Sequence, residues 1–148
     1  MAYSFHGFIG AEGALSGIRM RFPAAKIIAL GQDVFLVPLT GPLQQQMNGG
    51  EEPEPLEGFS ILTPPMEDVL LEVSGAGTVA YAEVLQWDGS GAAIVWEGGS
   101  RQRTYRYGQH LISRLLRSFG VVAHEGQDEF TTMGFAKRRF TDDWLLPG

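Results

Sequence analysis

Cysteine is absent from the 148 residues. That excludes disulfide bridges, thiolate zinc sites, iron–sulfur clusters and cysteine nucleophiles in one step. Lysine is scarce, with only Lys26 and Lys137, and residues 27–100 hold no basic side chain at all. No apolar run reaches the ~20 residues that a helix needs to cross a bilayer. The start, Met-Ala-Tyr-Ser-Phe-His, lacks the basic n-region of an export signal. The expected setting is cytoplasmic, with no membrane partner. Catalytic signatures are missing too. There is no Gly-x-Ser-x-Gly elbow and no P-loop, and Gly75-Ala76-Gly77-Thr78 precedes a strand where a phosphate cradle would open a helix. Of His6, His110 and His124, only the last has acids close by, Asp128 and Glu129. Gly126 interrupts that group, which reads as a loop entering a helix cap. No metal, no cofactor and no enzymatic activity are expected.

What is present is globular. Hydrophobic residues make up 44% and charged ones 19%, so the chain reads as a single domain over residues 1–148, long enough to bury roughly 70% of its unfolded surface. Tyr3–Ile9 is a β-favouring run, and Ala11–Phe22 places Leu15, Ile18 and Phe22 at helical spacing ahead of Pro23. Lys26–Leu30 and Val34–Pro38, joined by Gly31-Gln32-Asp33, predict a hairpin. Thr63-Pro64-Pro65 resembles a capped helix start, followed by Met66, Val69, Leu70 and Val73 on one stripe. Val79–Trp87 and Ala92–Glu97 flank Asp88-Gly89-Ser90-Gly91 and are apolar on both faces, which places them inside the sheet. A further helix spans Gln109–Phe119, with a short one after Asp128. The order β-α-β-β-α-β-β-α-β predicts an α+β fold, a mainly antiparallel sheet with two to three helices packed on one side.

Charge is unevenly spread. Residues 27–100 carry eleven acids and no base, whereas the rest of the chain carries all eleven bases and six acids. Four of those acids, Glu51, Glu52, Glu54 and Glu57, fall in a Gly/Pro-rich stretch at about 48–58 that reads as an exposed, mobile loop. Such segregation either makes a surface of one sign, which steers a cationic partner, or is cancelled when the two parts fold together. Arg103, Arg106, His110, Arg114 and Arg117 would share one helical face if the Gln109–Phe119 helix extended N-terminally. That face reads either as an anion or nucleic-acid site or as a solvated surface pairing with the acidic segment; the low lysine count favours the latter, and no nucleic-acid partner is expected. Glu83 lies among Val79, Tyr81, Leu85 and Trp87 on one face of a central strand, where a carboxylate must find hydrogen bonds or shift its pKa.

The hairpin from Ala80-Tyr81-Ala82-Glu83 through Gly89-Ser90-Gly91 to Ala93-Ile94-Val95-Trp96 carries a resemblance. So do the later Asp128-Glu129-Phe130 and Thr141-Asp142-Asp143-Trp144. Together they resemble the small acidic immunity proteins that bacteria encode beside polymorphic toxins. The resemblance covers most of the chain and departs at Trp87-Asp88-Gly89, where those hairpins commonly show an aromatic followed by two glycines. It implies a stoichiometric inhibitor that occludes the active site of a cognate toxin, or of another basic protein. The charge map points to Glu51, Glu52, Glu54, Glu57, Glu67, Asp68 and Glu72 as the partner-binding acids, whose carboxylates mimic phosphates. The alternative is a small enzyme or ligand-binding domain with a pocket around Tyr81, Glu83 and Trp87.

Overall fold

Among the described residues six strands pair edge to edge in the order β2-β3-β1-β4-β5-β6, antiparallel throughout. They are β1 (Phe5–Gly10), β2 (Ile28–Gly31), β3 (Val34–Pro38), β4 (Val79–Val84), β5 (Gly91–Glu97) and β6 (Ser100–Arg106). The computed structural model describes residues 3–85, 91–106 and 110–146. Among those residues five α-helices accompany the sheet: α1 (Glu12–Arg21), α2 (Gly41–Met47), α3 (Pro64–Val73), α4 (Leu111–Ser118) and α5 (Glu129–Thr132). The fold is α+β with an antiparallel sheet, as expected, and the three longest helices are those expected from apolar spacing.

Their placement differs from expectation. Alternation along the strands divides the core in two. Phe8, Tyr81, Ile94 and Trp96 point to a layer formed by Leu15 and Ile18 of α1, Leu43 of α2, and Met66 and Leu70 of α3. Phe5, Ile9, Ala82 and Val95 point the other way, to Leu111, Ile112, Leu115 and Leu116 of α4 and to Phe135 and Trp144 of the C-terminal segment. Helices therefore cover both faces rather than one. The physical reason is visible in β4, all six residues of which are buried. A strand without a polar face needs cover on both sides.

Two elements escape apolar periodicity. α2 is only seven residues long and begins at Gly41, but Thr40 caps it by accepting from the Leu43 amide, as Thr63 caps α3 by accepting from Met66. β6 occupies the stretch that a longer α4 would have taken up, had the Gln109–Phe119 helix extended N-terminally. Instead Gly98 and Gly99, with φ of 61° and 84°, make the two-residue turn that returns the chain beside β5. His110 immediately before α4 is left-handed at φ 57°, and this stops any backward extension of the helix. The five-membered cationic helix face does not exist: Arg103 and Arg106 are on a strand, Arg114 and Arg117 on a helix.

The C-terminal segment closes the α4 side. Ser4 pairs with Phe140, the Thr141 hydroxyl accepts from the His6 amide, and Trp144 packs against Phe5 and Phe135. The His6 side chain, opposite Glu83 on the other face of β1, is half-buried with its Nδ1 without a partner among the described residues. Burial holds its imidazole below the ordinary value of 6.5, against opposing pulls from the Leu39 backbone and the Glu83 and Asp142 carboxylates. Its neutral form is thus the one the fold prefers. As pH falls below 6.5 the unfolded chain takes up a proton that the folded chain resists, so stability is full above that value and declines below it. Thermal melts between pH 7 and pH 5.5 should show a falling melting temperature for the wild type and a flatter profile for His6→Gln. An equally steep H6Q profile would assign the acid sensitivity elsewhere.

Candidate functional site: a tethered acidic loop

The segment between α2 and α3 carries no regular structure, yet it is fastened at several points. At its base the Thr63 hydroxyl donates to Asn48 Oδ1 at 2.7 Å, and the Leu56 amide donates to the Leu62 carbonyl at 2.8 Å. Leu56, Phe59, Ile61 and Leu62 turn inward onto the core beneath α1 and α3. Gly58 has φ 87° and lies against the Arg106 guanidinium, which a Cβ would meet at 2.6 Å. Arg106 also donates to the Glu57 carbonyl at 3.2 Å.

The central fastening is Glu83. Its carboxylate is 4% exposed and accepts from the Ser60 amide at 2.7 Å, the Ile61 amide at 3.1 Å and the Tyr81 hydroxyl at 3.0 Å. Three donors satisfy an otherwise costly buried charge. Tyr81 is fully buried between Phe8 and Phe59. Burial first, then the neighbouring Glu83 charge, pushes its phenol well above the usual tyrosine range, so it stays a neutral donor. The pocket expected around Tyr81, Glu83 and Trp87 is filled at its first two members; Trp87 lies outside the described residues.

With the apolar side chains turned in, the acids turn out. Glu51, Glu52, Glu54 and Glu57 are exposed, as is Asp68 in α3, and none pairs with a cation among the described residues. The glutamates of the loop are thus exposed while its backbone is fastened to the sheet. Glu67 and Glu72 differ. Glu67 is held by both ends of the Arg101 guanidinium, at 2.7 and 2.9 Å, and accepts from the Trp96 indole at 2.9 Å. Glu72 pairs with Arg21, and that contact holds its carboxyl below the usual range. The two oppositely charged parts of the sequence do meet, at these pairs.

Comparison with family models, curated proteins and solved structures finds no match to this chain. Its chemistry therefore rests on its own residues.

Arrangement by layer shows what the pairs leave over. The layer of α1, α2, the loop and α3, residues 11–26 and 40–78, holds eight acids and three bases. The opposite layer, residues 110–146, holds five of each. The net negative charge is a property of one side of the sheet. Among the described residues no group of three or more His, Asp or Glu is arranged to hold a metal ion, and no helix is long and apolar enough to cross a membrane. Sequence reasoning singled out Glu83 but not its two main-chain donors, the Ser60 and Ile61 amides, which no residue type announces.

Replacing Glu83 by Ala removes the acceptor of three donors, the buried Tyr81 hydroxyl among them, and should cost about 3 kcal/mol by denaturant unfolding. Glu83→Gln keeps the shape and loses part of the acceptor capacity, at a cost of about 1–2 kcal/mol. In both variants the Ser60 and Ile61 amides should exchange hydrogen faster than those of β4. Unchanged exchange at those two amides would show that the loop is held without Glu83.

Proposed function

We propose that the protein is an immunity-type binding protein, which neutralises a cognate toxin or similar basic protein by laying its acidic layer over the partner's active site. The observation that carries this reading is the loop itself: Glu51, Glu52, Glu54 and Glu57 face solvent unpaired while the backbone beneath them is tied to a buried carboxylate. A tethered loop loses less conformational entropy on binding than a free one, so its charges are presented at lower cost. Unpaired carboxylates on one side of a sheet create the field that speeds encounter with a cationic site, and their spacing along an extended segment suits a groove that accommodates phosphates. Asp68 extends the same surface, and Glu72, with its side chain 66% exposed, borders it. Glu67, 14% exposed, supports it from beneath through Arg101. The resemblance to bacterial immunity proteins agrees with this assignment. The ligand-pocket alternative is less well supported, because Tyr81 and Glu83 are packed under the loop.

Two sets of variants separate binding acids from structural ones. Reversal of Glu51, Glu52, Glu54 and Glu57 to Lys should leave the melting temperature nearly unchanged and abolish recovery of a stoichiometric partner from the native host. Glu67→Lys should lower stability by about 2–4 kcal/mol, since it removes a bidentate, largely buried acceptor and places a cation against Arg101. Equal recovery of the partner by the loop-reversed and wild-type proteins would move the interface away from the acidic layer.

A further inference from the structure

The sheet ends in two unequal edges. β2 is four residues long, and the Gln32 side chain beyond it is bonded in both directions to the Val122 backbone. β6 is seven residues long, about 24 Å at ~3.4 Å per residue, and six of the seven are exposed. Among the described residues no backbone group of Ser100–Arg106 is bonded beyond its β5 partner. Its outer N–H and C=O groups are therefore open to a further strand.

We propose that β6 is a docking edge for an extended, acid-bearing segment of another protein, which adds to the sheet as a seventh strand. This does not depend on the acidic-layer reading; it concerns the far edge and charges of the opposite sign. The strand reads Ser-Arg-Gln-Arg-Thr-Tyr-Arg, with three arginines and no acid. The register places Arg103 and Tyr105 opposite Val95 and Ala93, on the face covered by α4. There the Arg114 guanidinium of α4 lies 5.7 Å from the Tyr105 ring. Arg114 is in turn one wall of an open pocket of about 440 Å³, shared with His110, Ser113, Arg117 and Asp128. A side chain on an added strand would lie roughly 4.5–5.5 Å from its neighbours on β6. A Glu or Asp there reaches Arg103 directly and Arg114 at its tip. On the opposite face Arg101 is already committed to Glu67 and Arg106 to the Glu57 carbonyl, so selection for acid lies on the α4 side.

The same features exclude other occupants. A second copy of this edge would set arginine against arginine. A phosphate chain offers acceptors only and would leave the outer carbonyls unmet. The β6 bulge, where Val95 faces Arg103 and Trp96 faces Arg101, further penalises an incoming strand that gains nothing from the arginines. Charge and bulge together admit acid-bearing strands and reject neutral or basic ones.

The test uses the ¹⁵N-labelled whole chain and a blocked synthetic peptide, Thr-Glu-Val-Glu-Val-Glu-Thr. At saturating peptide the outer β6 amides should exchange hydrogen at least about tenfold more slowly. Arg103→Glu, at an exposed position, should keep its melting temperature and bind the peptide about tenfold or more weakly. The same variant should regain affinity for the peptide with Lys in place of Glu, a readout that mere loss of structure would not give. A peptide with Pro at its centre should fail. Binding without slowed β6 amides, equal binding of the Pro peptide, or tighter binding of a single-stranded oligonucleotide of matched charge would each overturn the proposal.

Discussion

A carboxylate buried in the middle of an antiparallel sheet must be given donors, and this chain has no cation nearby in sequence to give. Residues 27–100 contain neither lysine nor arginine, so Glu83 in β4 is satisfied by two backbone amides and a phenol. Those amides belong to Ser60 and Ile61, which obliges the segment between α2 and α3 to return to the sheet. Once it is there, Leu56, Phe59 and Leu62 complete the core and the glutamates between them have only solvent to face. The cross-strand neighbour of Glu83 is His6, which burial keeps from supplying a permanent counter-charge. The loop, the layer beneath it and the outward array of acids are thus consequences of where one charge was buried.

The remaining charges are organised by pairing between elements. Arg101 reaches from the edge strand to Glu67 of α3, Arg21 of α1 reaches Glu72, and Arg117 of α4 reaches Glu129 of α5. Solvent screening leaves pairs such as Arg21–Glu72 with little effect on stability. Only the Glu67 group, bidentate and bonded also to Trp96, stands apart. Their larger effect is on what they leave unpaired. They remove the acids of α3 that face the sheet and spare those of the loop, so the acid excess of the sequence survives as a surface property on one side.

Much of the fold was legible where periodicity was strong. The β2–β3 hairpin, the Thr63-capped helix and the apolar stripe from Leu111 to Leu116 all lie where spacing put them. Legibility failed where the deciding interaction was not periodic. β6 carries arginines at spacings that also suit a helix, and the two glycines before it, with the left-handed His110 after it, decide the matter through backbone geometry. The side of the sheet on which each helix packs was not readable because β4 and β5 are apolar on both faces, and such strands specify that they are covered without specifying by which element. For the site, the acids were readable as a composition and their tether was not, since main-chain donors have no signature in the sequence.

The two ends of the charge distribution meet different physical demands. The acids stand on a loop, where side chains can be unpaired because each is solvated and the backbone beneath is held by other means. Arg103, which forms no salt bridge among the described residues, stands on a sheet edge, where unpaired main-chain groups invite indiscriminate pairing and a charge is the usual guard. A guard of one sign is also a filter of the other sign, because repulsion of like strands and attraction of opposite ones come from the same guanidinium. On the proposed docking of an acid-bearing strand, the guanidinium that repels a like-charged edge is also the one that selects the incoming strand, while on the other face of β6 Arg101 and Arg106 hold Glu67 and the Glu57 carbonyl of the acidic layer.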